Sequence, residues 1–290
     1  MERLVDTDIS LAAITGGSGS LPRHARTVII GAGLVGSSAA YHLAELGERD
    51  IVVLERNTVA SGTSWHAAGL TSSIRSTPAL TELAAYGTRF YGALGAKSGV
   101  DVSFNQCGSL LLARTEGRLD EFRYTAALAR QAGIPAELLA PADVPKLWPL
   151  AVPDGLVGAL YQPQDGHLNP GLAALGLAKL AHERGVAVYE GVGVLEILRE
   201  NDTVCGVRTN QGEISCERVL LATGLWTRDL AAGCGATVPL YPAEHVHVRT
   251  APVDGATPDL PVLRDLDGYF YIRHELGRLL VGAFEPNGKP

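Results

Sequence analysis

Apolar and polar positions follow two rhythms along this chain, and together they predict a mixed α/β protein. Thr27-Val28-Ile29-Ile30 and Ile51–Leu54 are continuous apolar runs, as expected of parallel strands buried on both faces. Between them, residues 34–46 repeat their apolar positions at helical spacing, and Gly47 ends the segment. The helical rhythm returns at 78–94 and at 116–132, the latter closed by Gly133. A further helix is predicted with Asn169 as N-cap and Pro170 in its first turn, running to Glu183 before Gly185.

The remaining runs read as strands. Residues 100–104 and 109–113 flank Gly108, whereas 137–148, broken by Pro141 and Pro145, belongs with them to a middle block that interrupts the first domain. Strands at 186–189 and 192–198 precede 204–209 and 213–216, which form a hairpin around Asn210-Gln211-Gly212. Residues 218–224 make a last buried strand ending in the small-residue turn Ala222-Thr223-Gly224. Beyond Pro239 the pattern becomes strict alternation. In 244–249, His245, His247 and Arg249 share one face and the valines the other. In 269–273 the same alternation groups Tyr269, Tyr271 and Arg273. Residues 278–283 begin another strand, so a sheet with one polar face is expected here.

One stretch, 27–70, carries the strongest chemistry. Its first strand feeds directly into Gly31-Ala32-Gly33-Leu34-Val35-Gly36, and a helix follows. In that context a G-x-G-x-x-G pattern reads as a dinucleotide site. Gly31 permits the tight turn. Gly33 lets the backbone approach a pyrophosphate, and Gly36 lets the helix pack on the sheet. The helix N-terminus offers free N–H groups and partial positive charge to phosphates. Glu55 ends the second strand, 24 positions beyond Gly31, where a carboxylate reaches ribose hydroxyls. Thr223 and Gly224, in the turn after a buried strand, suit a close approach of the same cofactor.

Composition narrows the classes. With 46% hydrophobic and 19% charged residues over 290 positions, the chain can bury a sizeable core. A net charge of −7 without a basic run argues against nucleic acid and against a membrane surface as partners. No apolar run reaches the length of a transmembrane helix. Cys107, Cys205, Cys216 and Cys234 lack metal-ligand spacing. They read as free thiols of a reducing compartment, the cytoplasm or, as second choice, the mitochondrial matrix. Residues 1–26 match neither a signal peptide nor an organelle presequence and read as a flexible leader.

The run Ser61-Gly62-Thr63-Ser64-Trp65-His66-Ala67-Ala68-Gly69-Leu70 resembles the flavin-attachment stretch of the dimethylglycine dehydrogenase and sarcosine dehydrogenase family. These are FAD-dependent amine oxidoreductases with a D-amino-acid-oxidase-like fold. Gly108-Ser109-Leu110, Leu119-Asp120-Glu121-Phe122, Asp165-Gly166-His167, Pro261-Val262-Leu263-Arg264-Asp265 and the segment from Gly282 extend the resemblance over nearly everything from Thr27 onward. It implies a Rossmann-like FAD-binding domain (27–105 and 165–235) interleaved with a substrate domain on an antiparallel or mixed sheet (106–164 and 236–290). By position, His66 is the histidine bonded covalently to the 8α-methyl of the flavin ring. The expected cofactor residues are Gly31, Gly33, Gly36, Glu55, Arg56, Ser61, Thr63, His66, Val194, Thr223 and Gly224, with Val194 offering its backbone to the adenine. His245 matches the family's active-site histidine. Tyr271, with Tyr269 as second choice, stands for its tyrosine.

The resemblance implies oxidation of the N-methyl group of a small amino acid of the dimethylglycine or sarcosine type. Electrons pass to oxygen or to an electron-transfer flavoprotein. His245 would lower the amine's pKa or take its proton, and Arg249 or Arg273 would hold a substrate carboxylate. Complete members of the family continue into a segment that closes over the flavin ring and a tetrahydrofolate-binding region. The sequence therefore looks truncated within its second sheet, with an unpaired edge expected there. The competing readings are a non-catalytic regulatory relative, like the regulatory subunit of pyruvate dehydrogenase phosphatase, and an inactive fragment. His66 favours the enzyme, because that regulatory subunit lacks the Trp-His-Ala pairing. A nicotinamide enzyme is a weaker alternative, since the same fingerprint serves NAD.

Overall fold

The computed structural model describes residues 10–15 and 19–289. In chain order they form α1 (Leu11–Thr15), β1 (His24–Ile30), α2 (Leu34–Glu45), β2 (Ile51–Leu54), β3 (Leu70–Thr71), α3 (Pro78–Ser98), β4 (Ser109–Ala113) and α4 (Glu116–Gln131). There follow β5 (Glu137–Leu139), α5 (Val144–Leu147), β6 (Gly158–Gln162), β7 (Gly166–His167), α6 (Pro170–Glu183), β8 (Ala187–Tyr189) and β9 (Val194–Glu200). Then come β10 (Thr203–Thr209), β11 (Gly212–Leu221), α7 (Thr227–Gly233), β12 (His247–Arg249), β13 (Val262–Asp265), β14 (Phe270–Glu275) and β15 (Arg278–Ala283). Two units interleave along the chain. The first is Met1–Ala67, Leu94–Val102 and Asn169–Pro242; the second is Ala68–Ala93, Ser103–Leu168 and Ala243–Pro290. The excursion of Ala68–Ala93 into the second unit has no counterpart in the boundaries expected from sequence.

The first unit is built on a six-stranded sheet in the order β8-β2-β1-β11-β10-β9. β8, β2, β1 and β11 run parallel, while β10 and β9 continue antiparallel. The continuous apolar runs explain the parallel part, because every residue of β2 and the last four of β1 are buried. Strand β1 starts at His24, before its apolar run, because His24 already pairs with Ser215. Residues 213–216 and 218–224, expected as two strands, are one strand, β11. Its first part pairs with β10, and from Ser215 to Leu221 it pairs with β1. Helix α6 begins as its sequence predicts, the Asn169 side chain accepting the Leu172 N–H at 3.0 Å. Part of the expected flexible leader is anchored. Leu11 is buried, and the N–H groups of Leu11 and Ala12 donate to the Glu190 carboxylate at 3.2 Å. Residues 1–9 and 16–18 of that leader lie outside the described residues.

The second unit is built on a seven-stranded sheet in the order β12-β15-β14-β13-β4-β6-β5. It is mixed: β13 and β4 run parallel and the other neighbours antiparallel. Alternation sorts its two faces. Leu110, Leu112 and Leu263 pack with Trp148, whose indole N–H donates to the Pro261 carbonyl at 2.7 Å. On the other face Leu111, Ala113 and Leu160 meet Phe122 of α4. Register carries that face outward through Leu111, Arg264, Tyr271, Gly282 and His247, each paired with the next.

Further strand expectations change. Residues 100–104 form no strand, and only Asn105 bridges to His167. The strand expected over 244–249 is confined to β12, so His245 precedes it. Tyr269 lies in a turn with φ +57 rather than in β14, which removes it from the alternation. The final strand is no unpaired edge, since β15 has β14 on one side and β12 on the other. Among the described residues no helix is long and apolar enough to cross a membrane.

Candidate functional site

The glycine turn of the first unit shows why its spacing matters. Gly31 takes φ +101, and a Cβ there would lie 2.6 Å from the Ala222 carbonyl oxygen. A Cβ at Gly36 would overlap the Gly31 carbonyl oxygen and come within 3.2 Å of the Ala222 Cβ. Only glycine therefore lets α2 rest on this turn. Gly33 brings no side chain to cap α2. Ser64 caps it from a distance, its Oγ accepting the Leu34 N–H at 2.9 Å. Glu55 stands beside the turn, accepting the N–H groups of Ala32 and Asn57, each at 3.0 Å. The Val192 N–H donates to the Glu55 carbonyl at 2.8 Å, which draws the start of β9, and with it Val194, toward Glu55. Arg56 lies over the Trp226 ring, 3.9 Å from its centroid.

The loop that follows is pinned to the same turn. The Ala60 N–H donates to the Ala32 carbonyl at 3.1 Å, and the Val59 N–H to Glu190 at 2.7 Å. Gly224 takes φ +56, and a Cβ there would approach the Thr63 Oγ1 to 3.6 Å. The Thr223 and Thr227 hydroxyls pair at 2.9 Å. Ser61 Oγ is buried without a partner among the described residues. An unpaired buried hydroxyl is costly. Together with the side-chain-free turn, it fits a polar cofactor laid against this loop. His66 ends the loop. It is exposed, lies against Trp65 with ring centroids 3.6 Å apart, and makes no hydrogen bond or ion pair among the described residues.

In the second unit Tyr271 is buried, and its ring leans across β15 so far that a Cβ at Gly282 would overlap it. Phe284 packs against both expected catalytic side chains, with centroids 5.7 Å from Tyr271 and 5.3 Å from His245. His245 Nδ1 is 3.3 Å from Glu285 Oε2. Burial raises the pKa of the Tyr271 hydroxyl, and Arg273 opposes the shift. Tyr269 is exposed in its turn. The two arginines expected to hold a substrate carboxylate are otherwise engaged. Glu275 pairs with Arg249 and, at 2.8 Å, with Arg273. Arg273 also donates to the carbonyls of Ala68 and His274 at 2.9 and 3.0 Å. His167 is buried nearby, and burial, with the charges of Arg273 and His274, lowers its pKa to about 4.

Among the residues of these sites that the sequence does not single out are Ser64, Trp226, Glu190 and Glu275. Ser64 caps a helix end 30 residues away, and no local pattern reports that. Trp226 and Glu190 likewise act only through tertiary contacts. Glu275 had a signal, because the alternation through Tyr271 and Arg273 extends to it.

Comparison with known proteins fits this geometry. Residues 26–290 match the family model described as FAD dependent oxidoreductase. The chain is 56% identical over 291 residues to 4-methylaminobutanoate oxidase (formaldehyde-forming) of Paenarthrobacter nicotinovorans, covering all of this chain and 35% of that protein. It is 37% identical over 268 residues to the mitochondrial dimethylglycine dehydrogenase of Rattus norvegicus, covering 91% of this chain and 31% of that one. The solved structure of L-proline dehydrogenase from P. horikoshii aligns with a TM-score of 0.83 at 25% identity, over 93% of this chain and 71% of its own. The chain thus spans about a third of the length of the curated relatives it matches. Since the family match takes in both units from Arg26 onward, the chain belongs to the FAD dependent oxidoreductase family.

Proposed function

We propose that this chain oxidises the N-methyl group of a small amino acid, with FAD held on the first unit and tethered through His66. One observation carries the reading. A turn that only glycine fits, a buried unpaired Ser61 hydroxyl and an uncommitted His66 all lie on one continuous stretch. FAD, when bound, supplies the hydride acceptor for the N-methyl carbon. The start of α2 would take the pyrophosphate, Glu55 the ribose hydroxyls, and Arg56 with the Val194 backbone the adenine end. Ser61, Thr63, Thr223 and Gly224 line the same turn. His66 would hold the flavin covalently at its 8α carbon.

On the second unit, His245 takes the proton of the substrate ammonium, because only a neutral amine can release a hydride from its methyl carbon. Glu285, 3.3 Å from the His245 Nδ1, orients the imidazole. Tyr271, with its raised pKa, stays protonated and offers an O–H donor. Hydride loss leaves an iminium, and its hydrolysis gives formaldehyde and the demethylated amine. The relative at 56% identity is named for 4-methylaminobutanoate and for formaldehyde. That compound is therefore the first substrate to test, with dimethylglycine and sarcosine next. Electrons pass on to oxygen or an electron-transfer flavoprotein, and tetrahydrofolate enters only through a further folate-binding region.

Anaerobic addition of these three amines to the FAD-loaded chain tests the reading. Bleaching of the flavin absorbance with matching formaldehyde is the expected result. Bound flavin that none of them bleaches would favour the regulatory alternative. A chain that takes up no flavin would favour the inactive fragment.

A further inference from the structure

We infer that Arg264 anchors a small carboxylate on the polar sheet face of the second unit, beside Tyr271. The inference rests on the proposed amino acid oxidase and deepens it by naming the group that holds the acid end.

Arg264 lies in β13 between Leu111 of β4 and Tyr271 of β14. It is half-buried, yet among the described residues its guanidinium makes no hydrogen bond and no ion pair. A guanidinium drawn out of water without a counter-ion carries a desolvation cost that natural proteins normally offset by pairing. Burial, with Arg75 as a second positive charge, lowers its pKa, and Asp165 opposes the shift. Asp165 is itself fully buried and already accepts the Ser73 N–H at 2.8 Å. The neighbouring arginines of the face, Arg249 and Arg273, share Glu275. Arg264 is thus a fork of donors with a second cation near it and no partner among the described residues.

The Tyr271 ring does not lie over Arg264. Tyr271 stands directly opposite Arg264, but its ring leans the other way, over Gly282. Arg264 and Gly282 are two strands apart, about 10 Å at the usual strand spacing. An amine at the Tyr271, Phe284 and His245 cluster and a carboxylate at Arg264 are therefore better joined by a three-carbon spacer than by the single carbon of an α-amino acid.

The test is calorimetric titration of the full chain with butanoate and with butanamide, which has the same shape without the charge. Butanoate should bind at least tenfold more tightly than butanamide. Arg264→Gln should weaken butanoate at least tenfold, Arg264→Lys less but measurably, and Arg249→Gln less than twofold. Circular dichroism checks that each variant folds, and if Arg264→Gln does not, Arg264→Lys decides alone. No butanoate binding, equal binding of butanamide, or wild-type affinity in the Arg264 variants overturns the inference. The readout is anion binding, not flavin reduction, so the two readings fail separately. Arg264-dependent binding in a chain whose flavin no N-methyl amine bleaches would remove the oxidase reading alone. Bleaching with no role for Arg264 would remove only this one.

Discussion

In the first unit, the features that suit a cofactor come from one short stretch and are made largely of backbone. Gly31, Gly33 and Gly36 act by lacking side chains, and the loop from Glu55 to His66 folds back onto their turn. In the second unit the polar face is assembled from side chains on β13, β14 and the segments flanking β12 and β15, and register alone brings them together. The first site should fail when atoms are added, and the second when a side chain is displaced or loses its charge state. Substitutions in the two regions should therefore separate cofactor retention from turnover.

The largest effect is expected at Gly36. In Gly36→Val the new side chain meets backbone that cannot move aside, so about 3 kcal/mol of stability should be lost, and flavin with it. Thermal unfolding and flavin content measure both. Retained flavin in a folded Gly36→Val chain would break the claim that the turn is a backbone cradle.

A comparable effect, driven by pH, belongs to the second unit. His167 has a pKa of about 4 in the folded chain against about 6.5 when unfolded. As pH falls below 6.5 the unfolded chain takes up its proton first, so stability falls until the folded chain also protonates near pH 4. The loss across that window is up to about 3 kcal/mol. Urea unfolding at several pH values should show the decline, and His167→Gln should flatten it. An unchanged slope would mean that His167 is not the buried neutral group.

A smaller effect on stability but a sharper one on turnover is expected at Gly282. Gly282→Ala forces the Tyr271 ring off β15. The rate of flavin reduction should fall about tenfold or more, with about 1–2 kcal/mol of lost stability and flavin content unchanged. Normal turnover would detach Tyr271 from the chemistry. The smallest change is Ser64→Ala, which leaves the start of α2 uncapped and should cost about 1 kcal/mol in unfolding experiments.

Legibility in the sequence follows the same division. The glycine fingerprint, the buried parallel strands and the Asn169 cap are local features, and the chain folds them where its spacing predicts. Strand β11 reads as two because its charged residues, Glu213, Glu217 and Arg218, break the apolar run, yet backbone pairing with β10 and then β1 carries it through. Tyr269 fits the alternation on paper, but the turn before β14 holds it at positive φ. Arg249 and Arg273 look like free cations until the register of β12, β15 and β14 sets Glu275 beside them. That Arg264 has no partner among the described residues appears only once every neighbour's partners are known.

The central claim is that one stretch, from the glycine turn to His66, both cradles and tethers FAD. Its most direct test is acid precipitation of the flavin-loaded chain, followed by the mass of the peptide that carries His66. The account predicts yellow protein and flavin mass on that peptide, absent in His66→Ala. FAD recovered entirely in the supernatant would contradict it.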